Sequence, residues 1–159
     1  MNKRALIQKI VVQLTSELAV YFRAAQNSRA EATHEQSKAE SKYDTRGLEA
    51  SYLARGQSKQ AAELEAAIEE FGKLDGRKFA AGEAIGLGAL VELEIAGEKS
   101  FYFLGPRAGG TELVQDKTEV LVITPQSPLG AQLMDKKQGD RPQLELASRK
   151  QAARIVSVE

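Results

Sequence analysis

Gly72-Lys73-Leu74-Asp75-Gly76 divides this chain into two stretches of different grammar. Before it, from residue 3 to about 74, there is no proline. Only Gly47, Gly56 and Gly72 interrupt a run rich in Ala, Glu, Gln, Lys, Arg and Leu, all good helix formers. After it, glycines become frequent, all four prolines appear (Pro106, Pro125, Pro128, Pro142) and β-branched residues cluster. Gly and Asp are strong punctuators of local structure. The reading is therefore two domains, residues 1–75 helical and residues 76–159 built on a sheet.

Leu6, Ile10, Leu14, Leu18, Tyr21 and Ala25 recur at spacings of four and three, which places them on one face of a helix. The sequence stays helix-compatible to about Ser41. Leu53, Gln57, Gln60, Leu64, Ile68 and Phe71 repeat the pattern in a second helix. Between them lies Lys42-Tyr43-Asp44-Thr45-Arg46-Gly47. Gly47 permits a positive φ, and Asp44 and Thr45 suit turns and helix caps. Two helices joined by so short a connection lie antiparallel. The expectation is a long α-hairpin, a coiled coil with its tip near residues 42–49 and an apolar seam that thins toward that tip.

Beyond the boundary the apolar period becomes two. Strands are expected at 89–95, 100–104, 119–123, 143–147 and 153–158, with a short one at 111–114 and turns at Gly97, Gly109-Gly110 and Ser148 to Lys150. Ser127-Pro128 opens a short helix running to Met134, with serine as cap and proline in the first helical position. The fold class is α+β: an antiparallel helical hairpin followed by a small antiparallel sheet with one short helix against it.

Composition narrows the chemistry. Lys plus Arg and Asp plus Glu both number 22, so the chain lacks the basic excess of a protein that grips nucleic acid by its phosphates. With no cysteine and His34 as the only histidine, disulfides and thiolate metal sites are excluded, and histidine-based zinc sites and Ser-His-Asp triads are disfavoured. Gln8 and Lys9 break the first apolar run, and no stretch approaches the ~20 apolar residues of a membrane span. A cytoplasmic protein with no membrane association is expected. The glycines of the second half are not followed by Gly-Lys-Ser/Thr, so they form no phosphate loop.

The segment Thr124-Pro125-Gln126-Ser127-Pro128-Leu129-Gly130, continuing to Gly139-Asp140, resembles that of the bacterial Gre-type transcript-cleavage factors, in which a serine-proline pair opens a short helix and a Gly-Asp turn ends the following loop. Length and element order agree across nearly the whole chain. The resemblance implies an FKBP-like C-terminal domain docking at the rim of the RNA polymerase secondary channel, and a coiled coil passing down that channel. It implies a monomer with RNA polymerase as partner, indirect contact with the nascent RNA 3′ end and no enzyme activity of its own. No intrinsic cofactor is implied, only a Mg²⁺ shared with the polymerase. Tip carboxylates would help hold that ion, since carboxylate oxygens suit Mg²⁺ and a two-metal site stabilises both the attacking and the leaving oxygen of a phosphodiester.

The candidate acids for that role, catalytic and metal-holding, are Asp44 and Glu49. Tyr43, Arg46, Tyr52, Ser127 and Pro128 are the candidate polymerase contacts. The family pattern is an aspartate, a glutamate three residues later and an aromatic three residues after that. Glu49 and Tyr52 keep the second interval, but Arg46 stands where the aspartate belongs, and Ala50 replaces the family's asparagine after the glutamate. Two readings stay open at the tip. Asp44 reaches the same place through a longer turn, or the tip binds the channel without organising a metal. On residue chemistry alone, Asp44 and Glu49 also suit a hairpin turn favoured by the helix dipole. A third class, peptidyl-prolyl isomerase or chaperone, follows from the FKBP-like fold alone.

Overall fold

The computed structural model describes residues 1–35 and 55–159. Their order is α1 (Lys3–Glu35), α2 (Arg55–Gly72), β1 (Leu90–Ile95), β2 (Glu98–Leu104), β3 (Glu112–Gln115), β4 (Thr118–Ile123), α3 (Pro128–Leu133), β5 (Gln143–Leu146) and β6 (Arg149–Val158). The chain divides into two compact units. One is Met1–Val11 with Glu69–Glu159, and the other is Val12–Ile68.

In the sheet unit the strands run β3-β4-β2-β1-β6-β5. Every neighbouring pair is antiparallel except β2 and β4, which pair in parallel from Phe101 opposite Val120 to Leu104 opposite Ile123. The wholly antiparallel sheet expected from the sequence is thus corrected to a mixed one. The cause lies in the Gly105 to Gly110 connection. It carries the chain past the place a simple hairpin partner would take, so that β3 forms the outer strand and β4 folds back beside β2. Backbone N–H groups of Gly105 and Gly110 donate to Ile123 and Val122, both at 2.8 Å, and fix that loop on β4.

Three two-residue hairpin turns set the register: Ala96-Gly97, Asp116-Lys117 and Ala147-Ser148. All six residues have positive φ, between 49° and 80°, the left-handed pairing that matches the twist of two antiparallel strands. Only one of the six is glycine, so two of the turns carry no glycine signal. The expected turn at Ser148 to Lys150 is corrected accordingly, with β6 already under way at Arg149.

Strand alternation divides the core between two faces. Val91, Leu93, Leu104, Ile123, Leu144 and Ile155 form one face, covered by Phe79, Ile85 and the α3 residues Leu129 and Leu133. Leu90, Phe103, Leu113, Val120 and Val122 are buried on the other. There the Phe71 ring stacks on Phe103 at 6.2 Å. Gly105 lets that ring approach, since a Cβ at this position would lie 2.6 Å from Phe71 Cζ. The first turns of α1 contribute Leu6, Ile7 and Ile10, all buried.

In the second unit, Leu18, Tyr21 and Phe22 of α1 pack around buried Ala25 and Ala61. The Tyr21 hydroxyl donates to Gln60 Oε1. Within the sheet unit, Arg4 Nε reaches the Asp75 carbonyl at 3.2 Å. The seam of α2 differs from its expected composition. Gln60 is exposed and Ala61 and Ala67 are buried, because the small residues permit close helix approach while the amide seeks a polar partner at the margin.

Within α1, Lys3–Asn27 is long and apolar enough to span a membrane by length and composition. This corrects the expectation that no segment reaches that length. Within it, Leu6, Ile7 and Ile10 are core of the sheet unit.

Candidate functional site

Tyr43, Asp44, Arg46, Glu49 and Tyr52, the candidate tip residues, lie outside the described residues. Ser127 and Pro128 lie within them, and their geometry is explicit. The Ser127 hydroxyl caps α3, accepting from Gly130 N–H at 3.1 Å and Thr124 N–H at 3.3 Å while donating to the Thr124 carbonyl at 2.7 Å. Ser127 N–H donates to Thr124 Oγ1 at 3.2 Å. Every polar group of Ser127 is thereby committed within its own turn, the behaviour of a helix cap. Gly130 is required for the same closure, because a Cβ there would run into the Thr124 carbonyl. Pro128, in the first turn of α3, is exposed.

The loop after α3 is held as firmly. Asp140 Oδ2 accepts from Lys137 N–H at 2.8 Å, Gly139 N–H donates to Ile155 O at 2.8 Å, and Ile155 N–H returns to Asp140 O at 2.9 Å. Ile85 N–H bonds Lys136 O at 2.7 Å. The result is a fixed ledge on which Gln126, Pro128, Asp135, Lys137 and Gln138 face solvent. Such a ledge can present side chains to a partner surface without paying loop-ordering entropy on binding.

A second polar cluster joins the start of α1 to the segment after α2. Lys3 is 5% exposed, its Nζ donates to the Gly88 carbonyl at 3.1 Å, and it lies 4.8 Å from the Phe79 ring centroid. Arg77 rests on the same ring at 4.1 Å and pairs with Glu83 at 2.6 Å. Burial pushes the Lys3 amine below its usual range, with the nearby Arg77 guanidinium adding to the effect. The Arg77 hydrogen bond holds the Glu83 carboxyl below its usual range, assisted by the Ala80 N–H. Sequence reading missed this cluster. Its only linear trace is Arg77-Lys78-Phe79 beside the boundary glycine.

Among the described residues no group of three or more His, Asp or Glu is placed to hold a metal. An open depression of about 800 Å³ over β2, β3 and β4 is lined in part by Phe101, Tyr102 and Val114.

No family model and no curated protein matches the chain. Solved structures do resemble it along nearly its full length. GreA factor homolog 1 (Gfh1) of Thermus thermophilus is 25% identical, with 94% of each chain covered and a TM-score of 0.39. Thermus aquaticus Gfh1 is 24% identical, covering 99% of this chain and 94% of its own, with a TM-score of 0.41. A further structure of the transcription factor Gfh1 is 24% identical, covering 93% and 92%, with a TM-score of 0.40.

Proposed function

We propose that this chain is a transcription elongation factor. It binds RNA polymerase through the secondary channel and stimulates cleavage of backtracked RNA by the polymerase's own active centre. The observation that carries the reading is the setting of the Asp44 to Glu49 segment. In sequence it lies between a 33-residue helix and an 18-residue one, on a chain whose sheet unit has its own two-faced core. In this role Asp44 and Glu49 hold a Mg²⁺ jointly with the polymerase, and Tyr43, Arg46 and Tyr52 contact the channel. Pro128 contacts the rim from the α3 ledge, and Ser127 keeps that ledge in shape. The factor acts in the cytoplasm as a monomer and has no cofactor of its own.

Arg46 favours a second reading: a channel-binding regulator that inhibits nucleotide addition without cleavage. One assay separates the two. A stalled elongation complex with Mg²⁺ and this protein yields RNA shortened from the 3′ end under the first reading, and slowed nucleotide addition with no new cleavage products under the second. Under the first, Asp44→Ala with Glu49→Ala abolishes shortening while polymerase binding persists. Full-rate shortening by that double variant removes the metal-holding role from these acids.

A further inference from the structure

β5 is an edge strand of the sheet, and edge strands offer unpaired N–H and C=O groups to any other strand. Its register fixes which groups those are. The tight Ala147-Ser148 turn makes Leu146 and Arg149 the closing pair, and Pro142 O accepts from Ala153 N–H at 3.0 Å. Residues 142, 144 and 146 therefore bond inward to β6, leaving Gln143 and Glu145 with both backbone groups turned outward. At Glu145 both outward groups are already taken. Its N–H donates to Gln132 Oε1 at 2.6 Å, and its carbonyl accepts from Gln132 Nε2 at 3.0 Å. The same Nε2 donates to the Pro128 carbonyl one turn back in α3, at 2.9 Å, which holds the amide in place. A primary amide has the donor and acceptor arrangement of a peptide group, and here it occupies the place of a neighbouring strand's peptide.

We infer that Gln132 is an intramolecular plug that keeps β5 from pairing with the β5 strand of a second copy of this chain. The occupant it excludes is specified by the strand itself. A two-fold antiparallel pairing centred on Leu144 sets each outward Gln143 opposite the other copy's outward Glu145. It satisfies all outward groups of the two short strands and places no like charges face to face. Shifting the centre by one residue to Glu145 would oppose two carboxylates. The unplugged strand is therefore suited to its own copy in the register centred on Leu144, which uses the Glu145 groups that Gln132 holds. The opposite edge carries a partial counterpart, with Lys9 Nζ donating to the β3 carbonyl of Val114 at 2.8 Å.

The inference does not rest on the polymerase reading, and its test needs no polymerase. Sedimentation equilibrium of the full chain should give a monomer for the native protein. Gln132→Met, which keeps the packing volume but makes neither bond, should self-associate on the order of tenfold more tightly. Adding Glu145→Pro, which removes the outward N–H and suits an edge position, should restore the monomer. Hydrogen exchange on the native monomer should find the Glu145 amide protected. A Gln132→Met protein that stays monomeric, association that Glu145→Pro does not reverse, or fast Glu145 exchange in the native protein each overturns the proposal. The exchange result is independent of whether either variant folds.

Discussion

The two units of this chain differ in what they bury. The sheet unit encloses large side chains on both faces, among them Phe71, Phe103, Leu93, Leu104, Leu133 and Ile155. From Val12 to Ile68 the buried described side chains are Leu14, Ala25, Ala61 and Ala67, with Leu18, Tyr21 and Phe22 partly covered. At ~25 cal/mol per Å² of apolar surface, an alanine seam yields far less than a phenylalanine core. The difference teaches that stability is concentrated in the sheet unit, so the helical unit can carry residues chosen for other reasons.

Substitutions can break or sharpen that contrast. The largest effect should come from Phe71→Ala, which empties a fully buried site stacked on Phe103. It should cost about 3–5 kcal/mol in chemical denaturation. Ser127→Ala removes the α3 cap and should cost about 0.5–2 kcal/mol, with Gly130 and Thr124 amide exchange rising first. Tyr21→Phe loses an exposed hydroxyl bond in the helical seam and should change stability by no more than about 0.5 kcal/mol. A loss there as large as that of Phe71→Ala would erase the contrast between the units.

The smallest effect concerns pH. Lys3 has a folded-state pKa lowered chiefly by burial, so in the window between that value and its unfolded value the unfolded chain binds the extra proton. Stability contributed by this group therefore rises with pH through that window and is lowest where the amine is charged in both states. Lys3→Met should flatten this alkaline rise in a stability-versus-pH series. An unchanged slope would mean that Lys3 is solvated when charged.

Much of this was readable in linear order. The α1 stripe Leu6, Ile10, Leu14 and Ala25 is buried as its period requires, and Ser127-Pro128 caps and opens α3. The turns at Asp116-Lys117 and Ala147-Ser148 were not legible in the same way. Positive φ at non-glycine residues is imposed by the strands they join, and no residue type announces it. The Lys3, Phe79 and Arg77 cluster also escaped, because Lys3 lies more than seventy positions from the other two and meets them only in the folded sheet unit. The tip acids follow from the resemblance to the Gre-type factors together with their spacing, and they lie outside the described residues.

Residue order alone carried the helical and strand periods on either side of Gly72 to Gly76 and the capping chemistry of Ser127. Each is a local property, set by side-chain spacing along one element or by a side chain meeting its own backbone. Only the tertiary structure decided that β4 lies parallel to β2, that Ala61 rather than Gln60 forms the helical seam, and that Gln132 covers the edge of β5. Those outcomes depend on which groups become neighbours across the fold, and pairing between distant segments is chosen by the summed burial and hydrogen bonding of the whole sheet.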